Sequence, residues 1–449
     1  MKILESNVLT VESEPSRNNI LPIFILSFTF LPQPLQNCFT FCGIFPEDHW
    51  FHKDDLVRMW IALGFIQESS IEGETLEDIG GRHFDVLVRK SFFDEFQGYT
   101  GIYYKMHDLL HDLAQSISSE ECFGFVGEDG LSFKVPKNVR HLFVKTGNPE
   151  VVRMIKDVKN LHSLFLRVHD LDFINILTEI FEVLRRIRLL FIYSPYATIP
   201  TQSLSFENLR HLRYLNLTAH LTHMPRSLSS LYHLRFIIYN QLFWGSWSEN
   251  FLPYDVGNLS NLRHLELHHK VFSSVPGIGK LRSLQELHEF NVKNENGYRI
   301  GELEHMSELR KLKIHFLENV KDAKEARKAK LFEKRKLTDL YLNWGNTVDE
   351  RNEEFGSLRK TVNSDLDVNV LENLKPYKNL MRLSIVSYKG VSSAKWMYNA
   401  DLISNLEYIS LNGCSEWETL PPLGQLPHLK SLYLYNMPQA KRLDHKFHG

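Results

Sequence analysis

One pattern governs what this chain can fold into: Leu-x-x-Leu-x-Leu, returning every 22–28 residues across the last three hundred positions. Its clearest rungs are Leu212/Leu215/Leu217, Leu262/Leu265/Leu267, Leu309/Leu312/Ile314, Leu337/Leu340/Leu342, Leu380/Leu383/Ile385 and Leu429/Leu432/Leu434. Weaker rungs, such as Val139/Leu142/Val144, Leu161/Leu164/Leu166, Ile187/Leu190/Ile192, Leu234/Ile237/Tyr239, Leu287/Phe290/Val292 and Leu406/Ile409/Leu411, fill most gaps. Alternate residues of a strand face opposite ways, so the leucines of a rung point inward and the residues between them outward. This period belongs to leucine-rich repeats, in which each unit is a short strand plus a return segment. Burying one such leucine stabilises by about 1.5–3 kcal/mol, so the ladder supports itself without metal or disulfide. The expected fold is an α/β leucine-rich-repeat solenoid, a horseshoe, and such an array is a binding surface, not a catalytic pocket.

Ahead of the ladder the pattern changes. Residues 1–19 are polar and irregular and read as a flexible arm, and residues 20–120 as a small, mostly helical domain; the repeats take residues 136–449. Leu35–Cys42 has apolar residues at helical spacing. Lys53–Leu63 is a second helix, with acids in its first turn and Gly64 as its stop; Leu76–Val88 is a third. Alternating aromatics around Gly98 and Gly101 predict a β-hairpin between Ser91 and Met106. Asp108 is the expected N-cap of a last helix, Leu109–Ile117. Helices, hairpin and closing helix make a winged-helix-like module. Two stretches interrupt the repeats. Asn346–Asn369 is polar and expected to loop out, and Val320–Lys336, with eight Lys/Arg among three acids, is expected to be a helix on the outer face.

A net charge of −2 gives no general electrostatic case for nucleic acid or an anionic membrane. Four cysteines in 449 residues make no disulfide framework and fit a reducing, cytosolic or nuclear setting, of which the cytoplasm is the expectation. The apolar run Ile20–Leu31 is too short for a membrane span and lacks the basic start of a signal peptide.

Candidate chemistry is sparse. The nearest approach to a P-loop, Gly279-Lys280, lacks both the first glycine and the Ser/Thr that follows the lysine. His107 and His111 stand four apart, but no third metal ligand accompanies them. Cys38 and Cys42 lie near His49 and His52 in an aromatic helix, where a cysteine packs as a small hydrophobe. No nucleophile–base set occurs, so neither enzyme activity nor a metal is expected. The basic run is read as a solvated face. The outward positions of the rungs carry more promise: Tyr214, His264, Tyr341, Arg382, Tyr408, Tyr433 and Tyr435 are expected to bind a protein partner, since Tyr and Arg dominate interface energetics.

Residues 31–66, with Asn37-Cys-Phe-Thr-Phe-Cys-Gly-Ile-Phe-Pro-Glu-Asp48 and Leu56-Val-Arg-Met-Trp-Ile-Ala-Leu-Gly-Phe-Ile66, resemble the opening of the winged-helix part of plant NB-ARC disease-resistance proteins. Met106-His107-Asp108 resembles their Met-His-Asp motif. Leu317-Glu-Asn-Val320, Trp344 and Leu420-Pro-Pro-Leu-Gly-Gln-Leu-Pro-His-Leu-Lys430 resemble repeats of the coiled-coil class of these receptors. The resemblance covers about residues 20–449. It implies a plant defence protein that senses a pathogen effector, a host guardee or a full-length receptor relative. It also implies that His107 is the nucleotide-sensing residue, supported by Asp108. The sequence contains no P-loop, so this chain alone is expected to bind neither ADP nor ATP and to correspond to a truncated receptor. Its last residues, Lys441–Gly449, resemble the middle of a repeat, so an exposed apolar end and a tendency to associate are expected. The alternative is a repeat-type substrate adaptor of a ubiquitin ligase, which would need an F-box-like module where the winged helix stands.

Overall fold

The computed structural model describes residues 21–71, 73–98, 101–168, 173–199, 204–240, 251–267, 275–345 and 364–440. The expected arm at 1–19 and the chain end at 441–449 lie outside these residues, as does 346–363. The chain divides into two compact units: Met1–Leu221 with His233–Trp244, and Thr222–Tyr232 with Gly245–Gly449.

The first unit opens with the helical module: α1 (Leu21–Thr29), α2 (Gln33–Phe41), β1 (Trp50–Phe51), α3 (Lys53–Leu63), α4 (Leu76–Arg89), β2 (Asp94–Gly98), β3 (Gly101–Lys105) and α5 (Asp108–Ser118). The antiparallel β2–β3 hairpin turns between Gly98 and Gly101 as expected, and β1, which the sequence does not announce, adds through Trp50↔Lys105 and Phe51↔Tyr104. Each helix has a local cause. At the end of α3, Gly64 takes φ +87° and its N–H donates to the Trp60 and Ile61 carbonyls, a left-handed cap that glycine adopts without strain. Helix α4 begins with a capping box in which Thr75 accepts from the Asp78 N–H and Asp78 from that of Thr75. The cap of α5 is His107, not Asp108: its ring accepts the Leu109 N–H at 3.3 Å, and Asp108 is the first helical residue.

Six parallel strands follow in the same unit: β4 (Cys122–Val126), β5 (His141–Lys145), β6 (Ser163–Arg167), β7 (Leu189–Ile199), β8 (Tyr214–Leu221) and β9 (Phe236–Asn240). The parallel pairing thus begins at Cys122, ahead of the first leucine rung. The second unit holds seven: β10 (His264–Glu266), β11 (Glu286–Asn291), β12 (Lys311–His315), β13 (Asp339–Asn343), β14 (Arg382–Val386), β15 (Tyr408–Asn412) and β16 (Ser431–Tyr435). These stack in parallel with Leu312, Leu340, Leu383, Ile409 and Leu432 in register. Leu312, Leu340, Leu383 and Ile409 are at most 2% exposed. This is the leucine-rich-repeat solenoid that the ladder predicts.

The return segments are mostly single 3₁₀ turns, such as Val256–Asn258, Ile278–Lys280 and Leu423–Gln425. A second ladder ties them together. The side-chain amides of Asn261, Asn379 and Asn405, each just before the first leucine of a rung, donate to the Tyr232, Arg335 and Lys378 carbonyls of the preceding repeat at 2.7–3.0 Å. Such bonds satisfy carbonyls that a loop would otherwise leave unpaired. Repeats also close tightly: a Cβ on Gly279 would lie 2.0 Å from the Glu302 carbonyl oxygen.

Two expectations change. Of the stretch Asn346–Asn369, the described part is helical, within Ser364–Asn373, with Val370 and Leu371 buried. The basic run is not one helix but a short one, Ala323–Arg327, followed by a 3₁₀ turn at Leu331–Glu333. The helical path is interrupted at Lys330, whose φ of +48° is left-handed; beyond it Lys334 is 1% exposed and donates to the Leu303 and Met306 carbonyls at 2.6 and 3.0 Å. Burial lowers its amine to about 8.

Candidate binding surface

The outward positions of the two ladders differ in kind. In the first unit they are largely apolar and aromatic: Phe143, Phe165, Phe191, Tyr214, Phe236 and Ile238. The winged-helix module covers them. Phe143, Phe165, Tyr214, Phe236 and Ile238 share one core with Phe41, Phe45, Leu56 and Trp60, and Phe191 packs against it half-buried. The Phe45 ring lies 4.9 Å edge-on from Phe165, and Phe41 lies 5.3 Å from His141. Two guanidinium groups complete the seam: Arg188 donates to the Leu63 carbonyl at 3.0 Å and Arg213 to that of Ala62 at 3.3 Å. These are end carbonyls of α3, where positive charge is favoured. Tyr214 is therefore fully buried and presents nothing to a partner, contrary to the expectation from its place in the rung.

A cavity of about 310 Å³ remains within this unit, lined by His49, Asp55, Arg167, Tyr193, Asn216 and Asn240 among others. Two imidazoles of this unit are held neutral. Burial, aided by the charge of Arg167, lowers His49 to about 4. Burial, with His162 and the nearby Arg140 and Arg188, lowers His141 to about 3, and its Nδ1 shares a 2.9 Å hydrogen bond with the Ser163 hydroxyl.

In the second unit the outward face is polar and ends in an exposed aromatic run. Asp339, Arg382, Tyr408 and Ser431 occupy one register line, and Tyr341, Ser384, Ser410 and Tyr433 the next. The Arg382 guanidinium stands 5.9 Å from the Tyr408 ring centroid, and the Tyr408 and Tyr433 rings are 5.3 Å apart. Tyr433 and Tyr435 are 56% and 70% exposed. Tyr341 is half-buried between His315, 5.3 Å from its ring, and Lys313. His264 is buried within a charged cluster: its Nε2 lies 3.2 Å from Glu266 and its Nδ1 3.4 Å from Glu286. The face thus brings Tyr341, Arg382, Tyr408, Tyr433 and Tyr435 together and sets His264 beneath its surface.

The other candidates take up structural positions. His107 is exposed and caps α5, while His111 is buried with Nε2 2.7 Å from the Phe45 carbonyl; the two rings serve separate partners. Cys38 and Cys42 are core residues whose thiols burial raises well above the ordinary range. His49 stacks on Phe45 at 4.5 Å instead of joining them. Lysines of the basic run pair across repeats, Lys330 with Glu304 at 3.1 Å and Lys336 with Glu308 at 2.6 Å. Among the described residues, no helix is long and apolar enough to cross a membrane.

Comparison with known proteins bears on both regions. A family model described as the disease resistance protein winged helix domain matches residues 44–114, and one described as R13L1/DRL21 LRRs matches residues 300–437. A disease-resistance RPP13-like protein of Arabidopsis thaliana is 32% identical over 460 residues, an alignment that takes in 100% of this chain and 42% of that protein. Disease resistance protein RGA2 of Solanum bulbocastanum is 30% identical over 93% of this chain and 39% of its own length. The chain thus spans about two-fifths of these relatives. A solved leucine-rich-repeat protein of Leptospira interrogans overlaps 68% of this chain and 80% of its own at a TM-score of 0.41 and 18% identity.

Proposed function

We propose, since this chain belongs to the plant disease-resistance proteins through its winged-helix domain and leucine-rich repeats, that it serves plant defence as a non-enzymatic recognition protein of the cytoplasm. Its recognition surface is the outward face of the second unit's strands. The partner is a protein: a pathogen effector, a guarded host protein or a full-length receptor relative. One observation carries the reading. Arg382, Tyr408, Tyr433 and Tyr435 form a continuous, solvent-facing run on rigid parallel strands, the residue types that concentrate binding energy when a partner desolvates them. The first ladder offers no comparable surface, because the chain's own winged helix already occupies it. Nothing in the fold or the relatives favours a ubiquitin-ligase adaptor.

The test is a binding screen of the 449-residue chain against effectors and full-length receptor relatives. A genuine partner should lose at least about 2 kcal/mol of binding when Arg382→Ala or Tyr433→Ala is introduced. It should be indifferent to Lys336→Ala in the return segments. Partners that respond to Lys336→Ala and ignore both face substitutions would oppose the assignment.

A further inference from the structure

The face of the second unit carries a cluster with a different chemistry from its aromatic end. Strands β10 and β11 pair with His264 opposite Glu286, and with Leu265 and Leu287 buried inward, His264, Glu266, Glu286 and His288 all point outward. A bulge then displaces the chain: Leu287 pairs with Leu312 and Phe290 with Ile314, so His288 and Glu289 together oppose Lys313. Bulges re-aim side chains, and this one leaves His288 Nε2 3.1 Å from Glu286 Oε2. His264 Nδ1 lies 3.4 Å from the same oxygen. One donor atom from each of the three residues lies within 4.8 Å of the others, and no other such trio of His, Cys, Asp or Glu occurs among the described residues.

We propose that His264, Glu286 and His288 form a binding site for a divalent metal of the zinc class, with Glu266 as the positioning residue for His264. Three features support it. Zinc bonds of roughly 2.0–2.1 Å place tetrahedral ligands about 3.3 Å apart, and the two N···O separations at Glu286, 3.1 and 3.4 Å, bracket that edge. The second feature is tautomeric. His264 Nε2 lies 3.2 Å from Glu266 Oε2; a neutral ring that donates there turns the bare lone pair of Nδ1 toward a carboxylate, which repels it. A cation between them removes that repulsion, and a carboxylate behind a ligating histidine is the usual outer-shell arrangement. The third is charge. Lys311 pairs at 3.0 Å with the other Glu286 oxygen, Oε1, and leaves Oε2 to face both imidazoles. Lys311 also weakens a cation's hold, so affinity in the micromolar range is expected, not that of a closed structural site. His288 is about one-third exposed, its side chain 36% accessible, so the fourth position opens to solvent and accepts water or a side chain from outside. The site stands whether or not the aromatic end of the face recognises a protein.

The experiment is calorimetric titration of metal-free 449-residue protein with zinc chloride in a non-chelating buffer at neutral pH, repeated with cobalt(II) followed by visible absorption. One saturable equivalent is expected, with the intense d–d bands of low-coordinate cobalt. His288→Ala and Glu286→Gln should each weaken zinc by more than roughly tenfold and abolish the bands, and Glu266→Gln should weaken it by a smaller factor. Circular dichroism matching that of the parent chain keeps the comparison valid for the isosteric Glu286→Gln. No saturable binding, or binding that survives both His288→Ala and Glu286→Gln, overturns the proposal; the second outcome would mean that others of the 21 histidines supply the site.

Discussion

His141 shows how one side chain reports on what lies above it. Its ring sits beneath Phe41 and Phe65, on the face that the winged helix covers, and burial holds it neutral down to about 3 against an ordinary 6.5. Between those values an unfolded chain takes up the proton and the folded one does not. The contribution of His141 is therefore complete above 6.5 and is lost as pH falls toward 3. His49 and His162, each lowered to about 4, act in the same direction. Acidification from about pH 7 to about pH 5 should therefore loosen the first unit, seen as faster hydrogen exchange in peptides spanning 141–167. His141→Gln, which keeps a polar partner for Ser163, should flatten that pH response, and an unchanged profile would refute the account. The same residues explain why Tyr214 is misread from its rung position. An outward tyrosine is surface only if nothing covers it. The signal was present in the neighbours: Phe143, Phe165 and Phe236 at equivalent places are too apolar for an open face.

Among the elements, the strands and the α3 and α4 helices were legible because each is over-specified. Leucine alternation fixes the strand register, and Gly64 ends α3 where the sequence predicts. Less legible were elements whose cause lies in another repeat. Strand β4 has no leucine rung, only Phe123 and Phe125 paired with Leu142 and Val144. The basic run breaks at left-handed Lys330, and Lys334 beyond it turns inward to two carbonyls of the preceding repeat. The zinc-class trio cannot be seen as a motif, since His264 and Glu286 are one repeat apart and meet only through strand pairing. Gly279 is the reverse case: as a P-loop glycine it fails, yet stacking requires it. Gly279→Ala should destabilise by about 1–3 kcal/mol, as overpacking does, because the clash is with the Glu302 backbone. Gly81→Ala in α4 is the control. Its Cβ would meet only the end of the Lys53 side chain at 3.6 Å, so it should be neutral or gain up to about 1 kcal/mol. Thermal unfolding of both variants checks the pair, and equal losses would contradict the backbone-clash explanation.

For the molecule as a whole, the seam of Arg188 and Arg213 against the end of α3 decides which parts of the chain can be exchanged independently. Winged helix and early repeats have sequence-distant halves but a single core. A hybrid with one of its relatives joined near residue 130 would separate the guanidinium groups from the carbonyls they satisfy and the phenylalanines from their cover. Joined after Asn240, it would keep that core intact. The first hybrid should express poorly or unfold at lower denaturant than either parent, the second should match them, and equal behaviour of the two would count against a shared core. In evolutionary terms the seam should act as a linkage block. Crossovers between related genes are expected to be better tolerated on its C-terminal side, where outward residues lie off the shared core, than within it.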